Sequence, residues 1–373
     1  MVDRRAKYPN GIVWREAKPV SGPMPTRRQF IALLAAVSAC VGGIGAATAA
    51  ERRAVTVAGK RARIIDVHAH CAFAEVAPLL AGTPLAREIP ASQRLGPERI
   101  AAMDARGIDI QALSVNQYWW YAADKELAEK IVLLHDQSLA SWCKAHSDRF
   151  VSLSSVALQF PDLAATQLER AVRDLGARGA SIGGHVNGEM PTGPKYDVFW
   201  AKAQALDVPV FVHPGGAENI VRDDALAGKG DLGNVIGNPL ETTYFLTHMI
   251  FDGVLDRFPR LKIVGAHGGG YLPSYLGRSE VACKFRKNAA CANTLAPSEY
   301  LRRQIYVDSM VFSAEGLRHL VAEMGPSQVV YGSDMPYEWP DTIDLVTTAP
   351  SLSDADRIAI LGGNLARLLQ IHS

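Results

Sequence analysis

No apolar stretch in this chain is long and unbroken enough to argue for a permanent transmembrane helix. No basic tract stands out either, because 39 lysines and arginines face 38 aspartates and glutamates, a formal net charge of +1. Without a basic patch or interleaved basic and aromatic residues, nothing points to a nucleic-acid partner. Cysteine is scarce, and the spacing of Cys71, Cys143, Cys283 and Cys291 matches neither a zinc module nor a dense disulfide framework. The favoured reading of these four is buried or free thiols, with a Cys283–Cys291 bridge as the alternative. Also missing is the glycine-rich fingerprint that a dinucleotide site places after its first strand. The chain reads His68-Ala69-His70-Cys71 there, which argues against an open Rossmann sheet.

What is present is a chain of 373 residues, 48% hydrophobic and 21% charged, which can bury a large core and shows no disordered or fibrous bias. The first fifty residues hold seven of the basic and two of the acidic side chains, leaving 32 and 36 for the rest. Arg27 and Arg28 precede a short, alanine-rich apolar stretch ending at Ala47-Thr48-Ala49, the pattern of a twin-arginine export signal cleaved near Ala49. The expected organisation is an export signal over 1–50 and one domain over 51–373, delivered to the periplasm by the twin-arginine machinery. Val37-Ser38-Ala39-Cys40 resembles a lipobox, so a lipid anchor on Cys40 is the alternative. Export after folding suits an enzyme that acquires its metal in the cytoplasm.

Beyond the leader, β-branched apolar runs alternate with helical patterns. Strands are expected at Arg63 to His68, Ile110 to Val115, Phe150 to Ser155, Gly179 to Ile182, Val208 to His213, Leu261 to Ala266, Ile305 to Asp308 and Val329 to Tyr331. Helices are expected from Pro97, over Asp124 to Ala145, Leu163 to Leu175, Tyr196 to Leu206 and Glu241 to Leu255, and from Pro273. A final helix over Ser353 to Leu369 is expected to pack outside. This rhythm favours an α/β fold of the closed (β/α)8 type, a TIM barrel, over an open doubly wound sheet. The longer segments from Cys71 to Gly96, Asn116 to Asp124 and Gly215 to Pro239 fall on one face and are expected to form a substrate pocket.

The same face collects the chemistry. His68 and His70, two apart on an extended segment, point to one side and can grip one ion. His213 after the run Val208 to Val212, and Asp334 before Pro336, are each unremarkable alone: one a core histidine, the other the start of a turn. Together with the first pair they supply three nitrogens and an oxygen, a set that suits Zn²⁺ and is acceptable to Mn²⁺ or Fe²⁺. His267 precedes Gly268-Gly269-Gly270 and is either a further ligand or the base beside one. The fourth strand and its end, Ala180-Ser181-Ile182-Gly183-Gly184-His185, offer no lysine to bridge two metals. One metal is therefore expected, with His267 as general acid/base near activated water. His185 is a pocket candidate or a hydrogen-bonded loop residue. Trp119, within Tyr118-Trp119-Trp120-Tyr121, either lines the pocket for a flat, unsaturated substrate or belongs to a hydrophobic lid.

At these residues the chain resembles the amidohydrolase superfamily, and more narrowly the group of aminocarboxymuconate-semialdehyde decarboxylase and the hydroxybenzoate decarboxylases. The resemblance runs from Ile64 to about Leu369. Its pieces include Asp66-Val67-His68-Ala69-His70, Phe211-Val212-His213-Pro214, Glu241-Thr242-Thr243, Ala266-His267-Gly268, Leu276-Gly277-Arg278, Val307-Asp308-Ser309 and Gly332-Ser333-Asp334-Met335-Pro336. It implies one divalent metal on His68, His70, His213 and Asp334, with His267 activating water or shuttling a proton in a nonoxidative decarboxylation. It also implies a homodimer in which Arg278 reaches the neighbouring site to bind the substrate carboxylate. The segment after His70 is shorter than in the muconate-semialdehyde enzymes, leaving Arg87 or Arg94 to stand in for their substrate-binding arginine. Hydrolysis of a lactone, ester or amide is the competing activity, because the same site polarises either carbonyl; a noncatalytic metal or ligand-binding protein is the third reading.

Overall fold

Short β-branched runs bounded by turns and alternating with amphipathic segments form eight parallel strands in a computed structural model, which describes residues 52–116, 120–217, 219–222 and 224–372. The leader and Trp119 lie outside the described residues. The strands are β1 (Ile65–His70), β2 (Ile110–Ser114), β3 (Phe150–Ser152), β4 (Ala180–Ile182), β5 (Pro209–Val212), β6 (Lys262–Gly265), β7 (Ile305–Asp308) and β8 (Val329–Val330). Between them run α1 (Pro97–Arg106), α2 (Lys125–Ala145), α3 (Pro161–Leu175), α4 (Asp197–Ala205), α5 (Asn238–Phe251), α6 (Leu276–Phe285) and α7 (Ala314–Met324). One run of pairs joins β1 to β3 and another joins β4 to β8. Bridges Ser154↔Ala180 and Ala69↔Met335 link the two runs, and Val67 N–H donates to Tyr331 C=O at 3.2 Å, closing the barrel. Among the described residues no helix is long and apolar enough to cross a membrane.

The barrel interior is divided along its axis. Ile65, Val67, Ile110, Leu153, Phe211 and Val264 form an inner apolar cluster, which Leu365, Leu368 and Leu369 complete from below. The C-terminal segment thus plugs the barrel instead of packing outside it as the sequence pattern suggested. It is one continuous helix as expected, from Asp354 to Leu368, with a wider turn over Ala359–Gly363. A Cβ on Gly362 would lie 2.1 Å from the Arg63 carbonyl oxygen, so only glycine lets this turn press against the start of β1.

A register shift between Asp66 and Ala69 inserts an extra residue into β1 against β2. Ile65 and Val67 face the inner cluster, whereas Ala69 joins the outer one between sheet and helices. The bulge therefore brings His68 and His70 inward above the apolar layer, a re-aiming that simple alternation does not supply. Glycine also matters where β8 meets β1. A Cβ on Gly332 would approach Asp308 Cβ to 2.8 Å and His68 Cβ to 3.0 Å, so its absence allows the ligand-bearing segments to close together.

Cys283 and Cys291 form a disulfide, the alternative pairing in the sequence, while Cys71 and Cys143 are thiols.

Candidate metal centre

Each strand end delivers its side chain by a distinct local device. Beyond β5, His213 continues the inward parity of Phe211, and its Nδ1 lies 2.7 Å from the Pro214 carbonyl oxygen. Nδ1–H donates there, which leaves Nε2 as a free lone pair. His68 places Nδ1 2.8 Å from Asp308 Oδ2, which turns its Nε2 away from Asp308 and toward Asp334 Oδ1. After β6 and β8 the chain turns abruptly, and both His267 (φ 55°) and Asp334 (φ 58°) adopt the left-handed region. Non-glycine residues rarely rest there, and their presence at a shared focus is strain held in place by the surrounding hydrogen bonds.

One donor atom each from His68, His213, His267 and Asp334 lies within 4.8 Å of the others. His70 abuts this group: its Nε2 is 2.7 Å from Asp334 Oδ1, to which His68 Nε2 also comes within 3.0 Å. Its ring centroid is 4.6 Å from that of His213. His267 Nε2 stands 4.0 Å from Asp334 Oδ2. All five proposed residues therefore meet at one focus, but the four-donor group contains His267 and the sequence reading named His70 in its place.

The electrostatics suit a cation. Burial, reinforced by neighbouring imidazoles, holds His213 well below its ordinary pKa and brings His267 down to about 4. Burial likewise lowers His70, against the pull of Asp334. These rings are therefore neutral, the form that ligates. Burial opposes charge on His68 too, yet Asp334 and Asp308 raise it to about 10, so a metal ion would bind this ring by displacing its Nε2 proton. Despite burial, His68 and His70 keep Asp334 ionised. His68 Nε2, His70 Nε2 and Asp334 Oδ1 are buried without a hydrogen-bond partner, although they crowd together. Lone pairs converging in this way fit a divalent ion, which would satisfy them together.

A second layer of buried charge, to which the sequence reading gave no role, fixes this geometry. Asp308 also accepts from the backbone N–H of His267 at 3.0 Å and of Gly268 at 2.8 Å, so one carboxylate sets two of the histidines. Asp66 accepts from His68 N–H at 2.9 Å and from Ser333 Oγ–H at 2.5 Å, tying β1 to the Asp334 turn. Arg99, 5% exposed, donates to the carbonyls of His70 and Met335. Glu241, fully buried, accepts from the N–H groups of Gly184, Gly215 and Gly216. Asp66, Glu241 and Asp308 stand in the quoted motifs, and a charge inside an otherwise apolar run is the available signal.

A cavity of about 260 Å³ opens onto His213, His267 and Asp334. Asp231, Asn234, Asn238, Tyr337, Glu338 and Trp339 line the rest of it. His185 is half-buried beyond β4, where its Nδ1 accepts from Gly188 N–H at 2.9 Å, and it does not line this cavity. Trp120 and Tyr121 do not line it either; both are buried, and Trp120 stacks on His135 at 5.8 Å. Arg278 is exposed on α6. Arg94 donates to the Ile89 carbonyl and Arg87 lies over the Trp120 ring, so neither reaches the cavity lining.

Comparison with known proteins agrees with this arrangement. A family model described as Amidohydrolase matches residues 65–371. The 2-amino-3-carboxymuconate-6-semialdehyde decarboxylase of Dictyostelium discoideum is 30% identical over 276 residues, covering 73% of this chain and 75% of the relative. The crystal structure of 5-carboxyvanillate decarboxylase from Sphingomonas paucimobilis superposes with a TM-score of 0.75 at 28% identity, covering 83% of this chain and 99% of the other. A dihydroxybenzoic acid decarboxylase from Polaromonas, solved with bound manganese and the inhibitor 2-nitroresorcinol, gives 0.72 at 25% identity, covering 83% and 97%.

Proposed function

The chain belongs to the amidohydrolase family, and on that premise we propose that it is a metal-dependent carboxy-lyase acting nonoxidatively on a small aromatic or unsaturated carboxylic acid. The observation that carries this reading is the convergence of unpartnered buried donors with His267 at the floor of a single cavity. His68, His70, His213 and Asp334 would hold one divalent ion, which supplies Lewis-acid charge to the substrate's carboxylate and adjacent oxygen. His267, neutral at rest and 4.0 Å from Asp334, is then placed to relay a proton taken from solvent in the cavity to the carbon that bears the carboxylate. As the carbon–carboxylate bond breaks, its electron pair stays on that carbon and carbon dioxide leaves. Asp308 keeps His267 and His68 in register throughout, through the bonds that already hold both.

Three imidazoles and a carboxylate suit Zn²⁺, and the manganese in the Polaromonas relative makes Mn²⁺ the competing ion. Elemental analysis of the purified protein distinguishes them. The decisive assay offers the metal-loaded protein aromatic and unsaturated acids alongside lactones, following carbon dioxide and product mass. Carbon dioxide from an acid is expected; lactone opening without it would replace this reading with hydrolysis.

Arg278 shares α6 and its approach with Tyr275, Val281 and Phe285, which are 64%, 54% and 68% exposed. Such an apolar surface around an arginine supports a homodimer in which Arg278 enters the partner's site and binds carboxylate. Light scattering should show a dimer, and mixing inactive Arg278→Ala and His267→Ala proteins should restore part of the activity. The Cys283–Cys291 bridge supports export to an oxidising periplasm. Cell fractionation and the mass of the mature N-terminus test this, with lipid on Cys40 as the outcome that would move the protein to the membrane surface.

A further inference from the structure

A second cavity, of about 400 Å³, is formed by α1, the segment leading into it and the turn after β8. It shares no lining residue with the cavity at the metal centre, yet both use one stretch of chain: Asp334 and Tyr337 line the first, Met335 and Pro336 the second. Its charged lining is three arginines, Arg94, Arg99 and Arg106, against one acid, Glu98. Glu98 folds back toward the start of α1, its Oε2 2.6 Å from where a Cβ on Gly96 would stand. Arg99 and Arg106 are seven residues apart on α1, about two turns, and so share a face. They act on one another: burial first, and the charge of Arg106 after it, pulls the Arg99 guanidinium below its ordinary pKa.

These arginines lack what their neighbours have. Arg52 and Arg149 pair with Asp104 on the same helix, and Arg52 and Arg61 pair with Asp109 just beyond it. Arg94 donates to the Ile89 carbonyl, and Arg99 donates to Gln111 Oε1 and to the carbonyls of His70 and Met335. Arg106 is half-buried, and its Nη1 is buried with no hydrogen-bond partner. Asp341 feels the charge of Arg106 without pairing with it, and none of the three arginines has a carboxylate within ion-pair distance among the described residues.

We propose that this cavity binds a small oxyanion, a carboxylate or a phosphate group, with Arg94 and Arg106 donating to it and the charge of Arg99 adding to the attraction. Guanidinium forks match either group. An anion there offsets a guanidinium whose Nη1 is buried without an acceptor, and it relieves the repulsion between Arg99 and Arg106. Arg99 is the physical link to the metal centre, since the carbonyls it holds belong to His70 and to the residue after Asp334. The site does not depend on which reaction that centre catalyses.

Calorimetry on the metal-loaded protein, in chloride buffer of constant ionic strength with inorganic phosphate and succinate as probes, tests this. Saturable binding is expected for at least one probe, with a Kd of about 1 mM or tighter. Arg106→Gln should weaken it at least about tenfold. Arg94→Gln, a change on an exposed side chain that leaves the fold alone, should weaken it by about two- to fivefold. His213→Ala, which removes the metal, should still bind. Tighter binding of phosphate assigns the site to a phosphorylated ligand and tighter binding of succinate to an organic acid; either supports the proposal. No saturable binding of either probe overturns it. So does binding that His213→Ala abolishes and both arginine variants leave intact, which would put the anion on the metal.

Discussion

The two halves of the barrel interior are built from the same strands and obey opposite rules. Toward the strand starts, Ile65, Val67, Phe211, Val264 and the plug residue Leu365 fill the space with apolar side chains. Toward the strand ends, the same strands continue into His68, His70 and His213, with buried polar atoms left unmatched and two residues in left-handed backbone. The lower layer is organised for stability, whereas the upper gives some of it up to hold convergent lone pairs. Removing side chains from either layer should therefore produce opposite signatures.

The largest effect on turnover is expected from a ligand. His213→Ala should abolish stoichiometric metal and activity together, exceeding the roughly 10–100-fold loss that follows when only a ligand's support is removed. Because it also relieves a crowded, desolvated cluster, its apo stability should not fall as a core deletion would. His267→Ala comes next and decides between the two roles that the geometry allows. As acid/base it should cost about 10²–10⁴ in kcat with metal retained. Loss of stoichiometric metal would make it a ligand, in keeping with its place in the four-donor group.

Asp308→Asn should lower metal affinity or turnover by about 10–100-fold, since the carboxylate orients His68 and the His267 backbone without reaching the cavity lining. In the lower layer, Leu365→Ala should leave kcat per folded molecule unchanged. Chemical denaturation should show a loss of about 2–5 kcal/mol, the usual cost of a cavity in a closed core. A fall in kcat at constant metal occupancy would mean that the layers are coupled through β1 after all.

The unequal legibility of the two layers has the same origin. Strand positions and the helix rhythm could be read because burial on both faces writes continuous β-branched runs, and the strand-end histidines stood out against them. The plug could not be read that way: an amphipathic pattern over Ser353 to Leu369 says that one face is buried but not against what, and the wider turn over Ala359–Gly363 presses Gly362 against the Arg63 carbonyl, a contact made only in the fold. The bulge in β1 was hidden for a related reason, since His-x-His alternates whether or not a residue is inserted before it. Asp308 and Asp66 look like ordinary strand residues until the barrel closes and brings Asp308 to His68 across 240 positions. Ligand choice between His70 and His267 is likewise a matter of ångströms, beyond what residue type and spacing encode.

A histidine outside both layers separates burial from clustering. His135 on α2 is buried between Phe73 and Trp120, both its ring nitrogens lack partners, and burial alone brings its pKa down to about 4, the same value as His267. A histidine depressed in the folded state and near 6.5 in the unfolded chain contributes stability that is present above about pH 6.5 and lost as pH falls through about 4. The difference in unfolding free energy between wild type and His135→Phe should therefore rise with pH across that window, by at most about 1.4 kcal/mol per pH unit, and be flat above it. The next residue, Asp136, titrates in the opposite sense: burial raises its carboxyl to about 7, so its contribution is present below about 4 and lost as pH rises through about 7. Subtracting Asp136→Asn from wild type should give a slope of the opposite sign, falling with pH. If His135→Phe instead shows no pH-dependent difference, burial alone does not depress an imidazole in this fold, and the low value of His267 belongs to its crowded neighbours.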